Sequence, residues 1–253
     1  MTKSETNPKL KFRNLAALFR VFTDHVPQRG FKHWGIHLVA GLGSLFPGLI
    51  FVSLCSLNLS AAETVLYQND FEKEEVGKVP ADFMVLDGGF AVKEEGGNKF
   101  LELPGTPLDS FAVQFGPTES TNISVFARIY GSVKGRRFPT FGVGLDGVAG
   151  YKLQAAPAKK AIELLKDQKV LASVPYDWKS AEWLNFRLQV RKTGDSAWKI
   201  EGKVWSHGST EPSAWMITAD EKEEPLAGRP SIFGSPFSGT PIWYDDLLVE
   251  KAK

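Results

Sequence analysis

A single cysteine, Cys55, leaves no possibility of a disulfide within the chain. It lies inside an apolar run behind Leu54, where a lipoprotein signal needs a small residue, so lipid attachment is not expected. Histidine is almost as scarce. Of four, His25, His33 and His37 lie near the N-terminus, so zinc or iron sites of the usual His/Cys kind are excluded beyond that region. Any Ser-His-Asp triad would have to use His207, in Ser206-His207-Gly208-Ser209, which reads as a loop residue after a strand and without a catalytic role. From Glu63 onward there is also no convincing helical periodicity, no low-complexity tract and no repeat of fixed period.

Charge is missing from residues 35–57, counting His37 as neutral, and residues 1–34 carry seven Lys and Arg against Glu5 and Asp24. A basic flank feeding an apolar segment is the build of an export signal. Ser60-Ala61-Ala62 supplies the small residues a signal peptidase inspects, so cleavage is expected before Glu63 or one residue earlier. The run also meets the roughly 20 residues that a bilayer crossing requires, so an uncleaved signal anchor holding the protein to a membrane through residues 35–57 is the alternative. Gly41, Gly43, Pro47 and Gly48 favour cleavage, because a permanent span gains nothing from them. A start codon assigned too far upstream would also account for the long flank. The chain therefore divides into a leader, residues 1–62, and a domain, residues 63–253, and a secreted or periplasmic protein is expected.

Without the leader, 23 basic and 27 acidic residues remain, a net charge of about −4. Phosphate neutralisation needs a basic face, and none is visible, so nucleic acid is not an expected partner.

What the domain does have is period-two patterning. From Leu184 to Arg191 the apolar set Leu184, Phe186, Leu188, Val190 alternates with Asn185, Arg187, Gln189, Arg191. After the turn Lys192-Thr193-Gly194-Asp195-Ser196, the set Trp198, Ile200, Gly202, Val204 alternates with Lys199, Glu201, Lys203, Trp205. This predicts an antiparallel hairpin with one dry face and one wet face. Similar runs recur at 65–71, 83–92, 99–103, 111–115, 123–130, 138–145, 151–154, 162–165, 170–174, 231–233 and 242–250, giving around a dozen strands. Leu86-Asp87-Gly88-Gly89 and Glu95-Gly96-Gly97-Asn98 are expected to reverse the chain between paired strands, and 161–174 to form a further hairpin, unless 157–165 is a short helix. Asp220-Glu221-Lys222-Glu223-Glu224-Pro225 reads as a solvated loop. The fold class is all-β, a two-sheet antiparallel jelly-roll sandwich preceded by the hydrophobic export segment.

Trp183-Leu-Asn-Phe-Arg-Leu-Gln-Val, Val204-Trp205, Glu211-Pro212-Ser213-Ala214-Trp215, Gly228-Arg229-Pro230-Ser231-Ile232-Phe233-Gly234 and Pro241-Ile242-Trp243-Tyr244-Asp245-Asp246 resemble the concanavalin A-like lectin/glucanase domains of secreted bacterial proteins. Tyr67-Gln-Asn-Asp-Phe-Glu with Gly77-Lys-Val-Pro80 is similar to their first strands. The resemblance covers about 63–253. It implies two curved sheets with the chain ends paired in one of them, and a concave face that in many members holds carbohydrate. It also implies that members divide among sugar-binding modules, glycosidases and structural domains, and the fold alone does not choose.

A retaining glucanase of this kind would carry two carboxylates about 5 to 5.5 Å apart, on a Glu-x-Asp-x-x-Glu strand or similar. No such motif is present. Glu72, Glu74 and Glu75 are spaced like a strand end, and the pair Asp177 and Glu182 across a turn is the weak catalytic candidate. A structural calcium tying the first strand to the last, as the resemblance implies, would use Asp70 and Asp246. Alternation puts Asp245 and Asp246 on opposite faces, so only one of them is expected at such a site. Sugar binding needs aromatic platforms and a few polar groups. Tyr151, Trp178 and Trp205, with Arg128 and Arg187 from the polar sides of strands, are the candidate binding residues, and packing beneath a loop is the alternative for each ring. Phe141-Gly142-Val143-Gly144-Leu145 lacks a following Lys-Ser/Thr and is not a phosphate loop; its glycines let a curved sheet bend or a ligand approach. The sequence thus leads to an exported, non-catalytic domain that binds a polysaccharide or cell-surface glycan. A glycoside hydrolase with an unrecognised carboxylate pair and a purely structural domain are the alternatives.

Overall fold

The alternating segment after Trp183 becomes strand β11 (Glu182–Gly194) in the computed structural model, which describes residues 64–252. The leader, apolar run and cleavage point expected from the sequence lie outside the described residues. Among the described residues no helix is long and apolar enough to cross a membrane.

One sheet has eight strands. In spatial order they are β13 (Ile217–Glu221), β12 (Ala197–Ser206), β11, β6 (Ile123–Gly131), β15 (Ile242–Lys251), β4 (Asn98–Leu103) and β3 (Ala91–Glu95), with β1 (Val65–Asn69) also on β15. The second sheet has seven: β10 (Lys169–Pro175), β9 (Ala161–Lys166), β8 (Tyr151–Ala156), β7 (Thr140–Leu145), β14 (Ser231–Ser235), β5 (Phe111–Gln114) and β2 (Met84–Asp87). The all-β, two-sheet antiparallel sandwich expected from alternation is the observed architecture. The chain ends pair as expected, Val65 opposite Glu250 and Asn69 opposite Leu247.

Both inner faces supply the core. Phe186 of β11 and Phe141 of β7 meet edge to face at 5.8 Å, and Leu188, Val190, Val125, Ile129, Val143 and Leu153 are all fully enclosed. Apolar area removed from water drives the stacking of the sheets, at about 25 cal/mol per Å².

Some expectations are corrected. Asp87-Gly88-Gly89 does not join paired strands; it carries the chain from β2 in one sheet to β3 in the other. Gly96-Gly97 does close a two-residue hairpin, Glu95 opposite Asn98, and both glycines have positive φ as such a turn demands. The alternative helix at 157–165 reduces to one turn of 3-10 helix, Pro157–Lys159, before the β9–β10 hairpin. The segment read as a solvated loop begins with a strand. Residues of β13 pair with β12, Trp198 opposite Glu221, because Glu221 is tied down by Lys166 at 2.7 Å and by the Tyr151 hydroxyl at 3.1 Å. The β7 glycines serve neighbouring chain and not a ligand, since a Cβ on Gly142 would collide with the backbone of β8. The wet face of the β11–β12 hairpin is largely covered too: Asn185, Gln189, Glu201 and Lys203 are all buried.

Candidate functional site

That covered polar face belongs to the outer side of the eight-stranded sheet, and pairing register sets its side chains in four rows across β15, β6, β11 and β12. The first row runs Trp243, Tyr130, Trp183, with Glu102 of β4 opposite Trp243. The second is Asp245, Arg128, Asn185, Trp205. The third is Leu248, Phe126, Arg187, Lys203. The fourth is Glu250, Ser124, Gln189, Glu201. Period-two alternation along each strand makes these residues neighbours on one surface.

The first row is an aromatic ridge. Tyr130 and Trp243 stack at 4.5 Å with planes 15° apart, Phe100 lies 4.6 Å from Trp243, and Trp183 is 5.5 Å from Tyr130. Trp243, Tyr130 and Trp183 are each partly exposed, and the Trp243 indole N–H donates to Glu102 at 3.0 Å. Rings packed on adjacent strands bury each other's faces and leave their upper edges to solvent.

Arg128 dominates the second row. Its Nη2 donates to Asp245 at 2.5 Å, its Nε reaches Asp246 at 2.9 Å, and its guanidinium lies 4.8 Å from the centre of the Trp183 ring. His207 Nε2 stands 3.4 Å from Nη1. Asp245, 1% exposed, also accepts from Asn98 at 2.9 Å and from the Asp246 N–H at 2.7 Å. Burial pushes the Asp245 carboxyl above its ordinary range, with Asn98 and Arg128 pulling against that shift.

Asp246 breaks the expected alternation. An extra residue between Asp245 and Leu248 makes a β-bulge, with Asp246 at φ 50°, and it lies where β15 changes partner from β4 to β1. The bulge turns Asp246 to the side of Asp245, so both carboxylates hold one guanidinium, contrary to the opposite-face reading.

Rows three and four border a cleft of about 440 Å³. Arg187 lies over the Phe126 ring at 5.4 Å, pairs with Glu250, and is 2.9 Å from Glu211. Glu211, on the segment between β12 and β13, also meets Lys203 Nζ at 2.9 Å. Lys203 donates to the Pro212 carbonyl at 2.7 Å and sits 4.5 Å from the Trp215 ring centre. Gln189 donates to Glu201 at 2.6 Å, and Arg191 approaches the same carboxylate at 3.4 Å.

Of the residues singled out by sequence, Arg128 and Arg187 come together on this face. Trp205 is on it as well, but buried against Phe126 at 5.9 Å. Trp178 is elsewhere, in the loop before β11, edge-on to Phe141 at 6.1 Å and packed against the core. Tyr151 is corrected outright: its ring is 1% exposed inside the sandwich, because Tyr151, Leu153 and Ala155 form the inward set of β8. Asp177 and Glu182 are both exposed, in the loop 176–181 and at the start of β11. Asp70 and Asp246 line one hollow of about 460 Å³ together with Glu74, and Asp246 is at the same time the partner of Arg128. Among the described residues no group of three or more His, Cys, Asp and Glu is arranged to hold a metal ion. Sequence reasoning missed Trp183, Tyr130, Trp243, Lys203, Glu211 and Trp215. Trp183 shares parity with Arg187 on β11, a signal that was available; Glu211 and Trp215 lie outside any strand, where alternation assigns no face.

No family model matches the chain, and no curated protein matches it. Solved structures do. A protein of unknown function with galectin-like fold from Bacillus subtilis is 12% identical, with a TM-score of 0.52 over 74% of this chain and 96% of that one. The metal-free Emp46p carbohydrate recognition domain is 10% identical, with a TM-score of 0.51 over 75% and 96%. A xylan beta-1,4-xylosidase from Bacillus halodurans is 14% identical, with a TM-score of 0.50 over 73% of this chain and 39% of that one. At these identities the likeness is one of fold, and the fold is the concanavalin A-like jelly roll.

Proposed function

We propose that the outer face of the eight-stranded sheet is a carbohydrate-binding surface of an exported, non-catalytic domain. The observation that carries this is the register itself. It gathers three partly exposed aromatic rings in one row and sets two arginines in the rows beside it, each held in place by carboxylates. Ring edges pack on the apolar C–H patches of sugars, and oriented charged and amide groups receive hydroxyls. Emp46p's domain, a carbohydrate recognition domain of the same fold, gives the reading a precedent. Export rests on the basic and apolar leader.

The bulge favours a second reading, a glycoside hydrolase, because it brings Asp245 and Asp246 side by side. Against it, Asp245 is enclosed and both of its oxygens accept hydrogen bonds. A glycan array and a polysaccharide hydrolysis screen on the whole chain separate the readings: retention without released sugar supports binding, released sugar supports the enzyme, and silence in both leaves a structural domain.

A calcium ion between Asp70 and Asp246 belongs to the same proposal. It would have to share Asp246 with Arg128, and if it binds the folded protein it is expected to release or absorb heat and to raise the melting temperature. Titration with neither effect removes it.

A further inference from the structure

The charge of Lys203, a residue of β12, is met from the connection that follows the strand. Its side chain is 8% exposed, and the carboxylate that pairs with it is Glu211, itself 39% exposed on the connection between β12 and β13. Among the described residues, 210–215 of that connection make no backbone-to-backbone hydrogen bond. What holds them over the sheet is the Glu211 carboxylate between Lys203 and Arg187, the Pro212 carbonyl on Lys203, and the Trp215 ring beside the same ammonium.

Resting on the carbohydrate reading of this face, we propose that the cleft is a subsite for a carboxylate-bearing sugar, a uronic acid residue of a polysaccharide, and that Glu211 occupies it as an internal stand-in. The oxygen of Glu211 lies 2.9 Å from both Arg187 Nε and Lys203 Nζ, which is the position a uronate oxygen would take. Arginine offers a planar fork and lysine a point charge, and together they suit a carboxylate in a cleft that admits one or two sugar rings. The Trp215 ring walls the site for a pyranose. The cleft is lined by the cations Arg187, Arg191, Lys203 and Lys251 against Glu201, Glu211 and Glu250, so swinging Glu211 out leaves a cationic excess that a neutral glycan would not answer. Lys203, being buried, then needs an anion more than an exposed lysine would.

The experiment measures binding of the full chain to polygalacturonate, to the same polymer fully methyl-esterified, and to a sulfated dextran, each with the wild-type protein and with Glu211→Gln. Expected are retention on polygalacturonate, loss of it on esterification and at high salt, and binding by E211Q tighter on the order of tenfold, since the internal competitor is gone. Adding Lys203→Met to E211Q should abolish that gain. E211Q takes the carboxylate from a buried lysine, so a lower melting temperature is expected, and a single cooperative transition verifies its fold. Equal binding of the esterified polymer, or no gain in E211Q, overturns the subsite while retention of neutral glycans leaves the carbohydrate reading standing. Equal binding of sulfated dextran overturns the assignment of a carboxylate. Retention of no polymer, neutral or acidic, overturns both.

Discussion

Asp246 and Arg128 are bound to each other only because β15 carries one residue too many: the bulge sets the Asp246 carboxylate 2.9 Å from Arg128 Nε, beside Asp245 at Nη2. In a regular strand Asp246 would point into the core, where an ionised carboxylate is not tolerated.

Arg128→Met is therefore expected to destabilise the fold by about 3 to 5 kcal/mol, because it leaves Asp245 buried without its cation. Asp246→Asn should cost far less, since Asp246 is partly exposed. Urea unfolding of the two variants checks the order. Equal losses would mean that the guanidinium is not what balances Asp245.

If the aromatic ridge contacts glycan, Trp183→Ala should weaken binding by about 2 kcal/mol, roughly thirtyfold, while Trp178→Ala should leave affinity unchanged and lower the melting temperature. Isothermal titration with a glycan identified on an array, alongside thermal melting, measures both. Lost affinity in the Trp178 variant with an intact fold would place the surface elsewhere.

Phe186→Ala removes a fully buried ring that bridges the two sheets through Phe141. A loss of about 3 to 5 kcal/mol is expected in chemical denaturation. A loss below about 1 kcal/mol would show that the sheets do not depend on this contact.

Stability should vary with pH in two opposite ways. Burial, with no hydrogen-bond partner for either oxygen, raises Asp146 to about 8. The folded protein therefore holds this proton where the unfolded chain has lost it, and the associated stability is present at low pH and lost as pH rises toward 8. For Glu221, burial opposes but hydrogen bonds from Lys166, the Glu223 and Lys222 N–H groups and Tyr151 prevail, lowering it to about 2. Its contribution is present above the ordinary carboxylate range and lost as pH falls toward 2. Melting temperature from pH 3 to 9 should show Asp146→Asn flattening the fall from the ordinary carboxylate range up to about 8, and Glu221→Gln flattening the acid limb below that range. An unchanged fall across that window in D146N would assign it to another group.

The pairing of the chain ends was expected only from the family resemblance, whereas the β11–β12 hairpin and the inward set Leu184, Phe186, Leu188, Val190 were legible in the sequence, because alternation within one strand is a local property. The Gly96-Gly97 turn was legible for the same reason. Asp87-Gly88-Gly89 has similar turn chemistry yet changes sheets, since local conformation does not say what the next strand will pair with. Tyr151 was misplaced although its phase with Leu153 and Ala155 pointed inward.

Residue order by itself determined which side chains share a face of each strand, and hence that two apolar faces must close on each other to leave water. It did not determine which strands are neighbours. The row Trp243, Tyr130, Trp183 joins residues far apart in the chain, the bulge at Asp246 undoes a parity that alternation had assigned, and Glu211 reaches Arg187 from outside any strand. Cross-strand register and loop placement are set by long-range packing energies, so the composition of the candidate surface was decided only when the sheets closed.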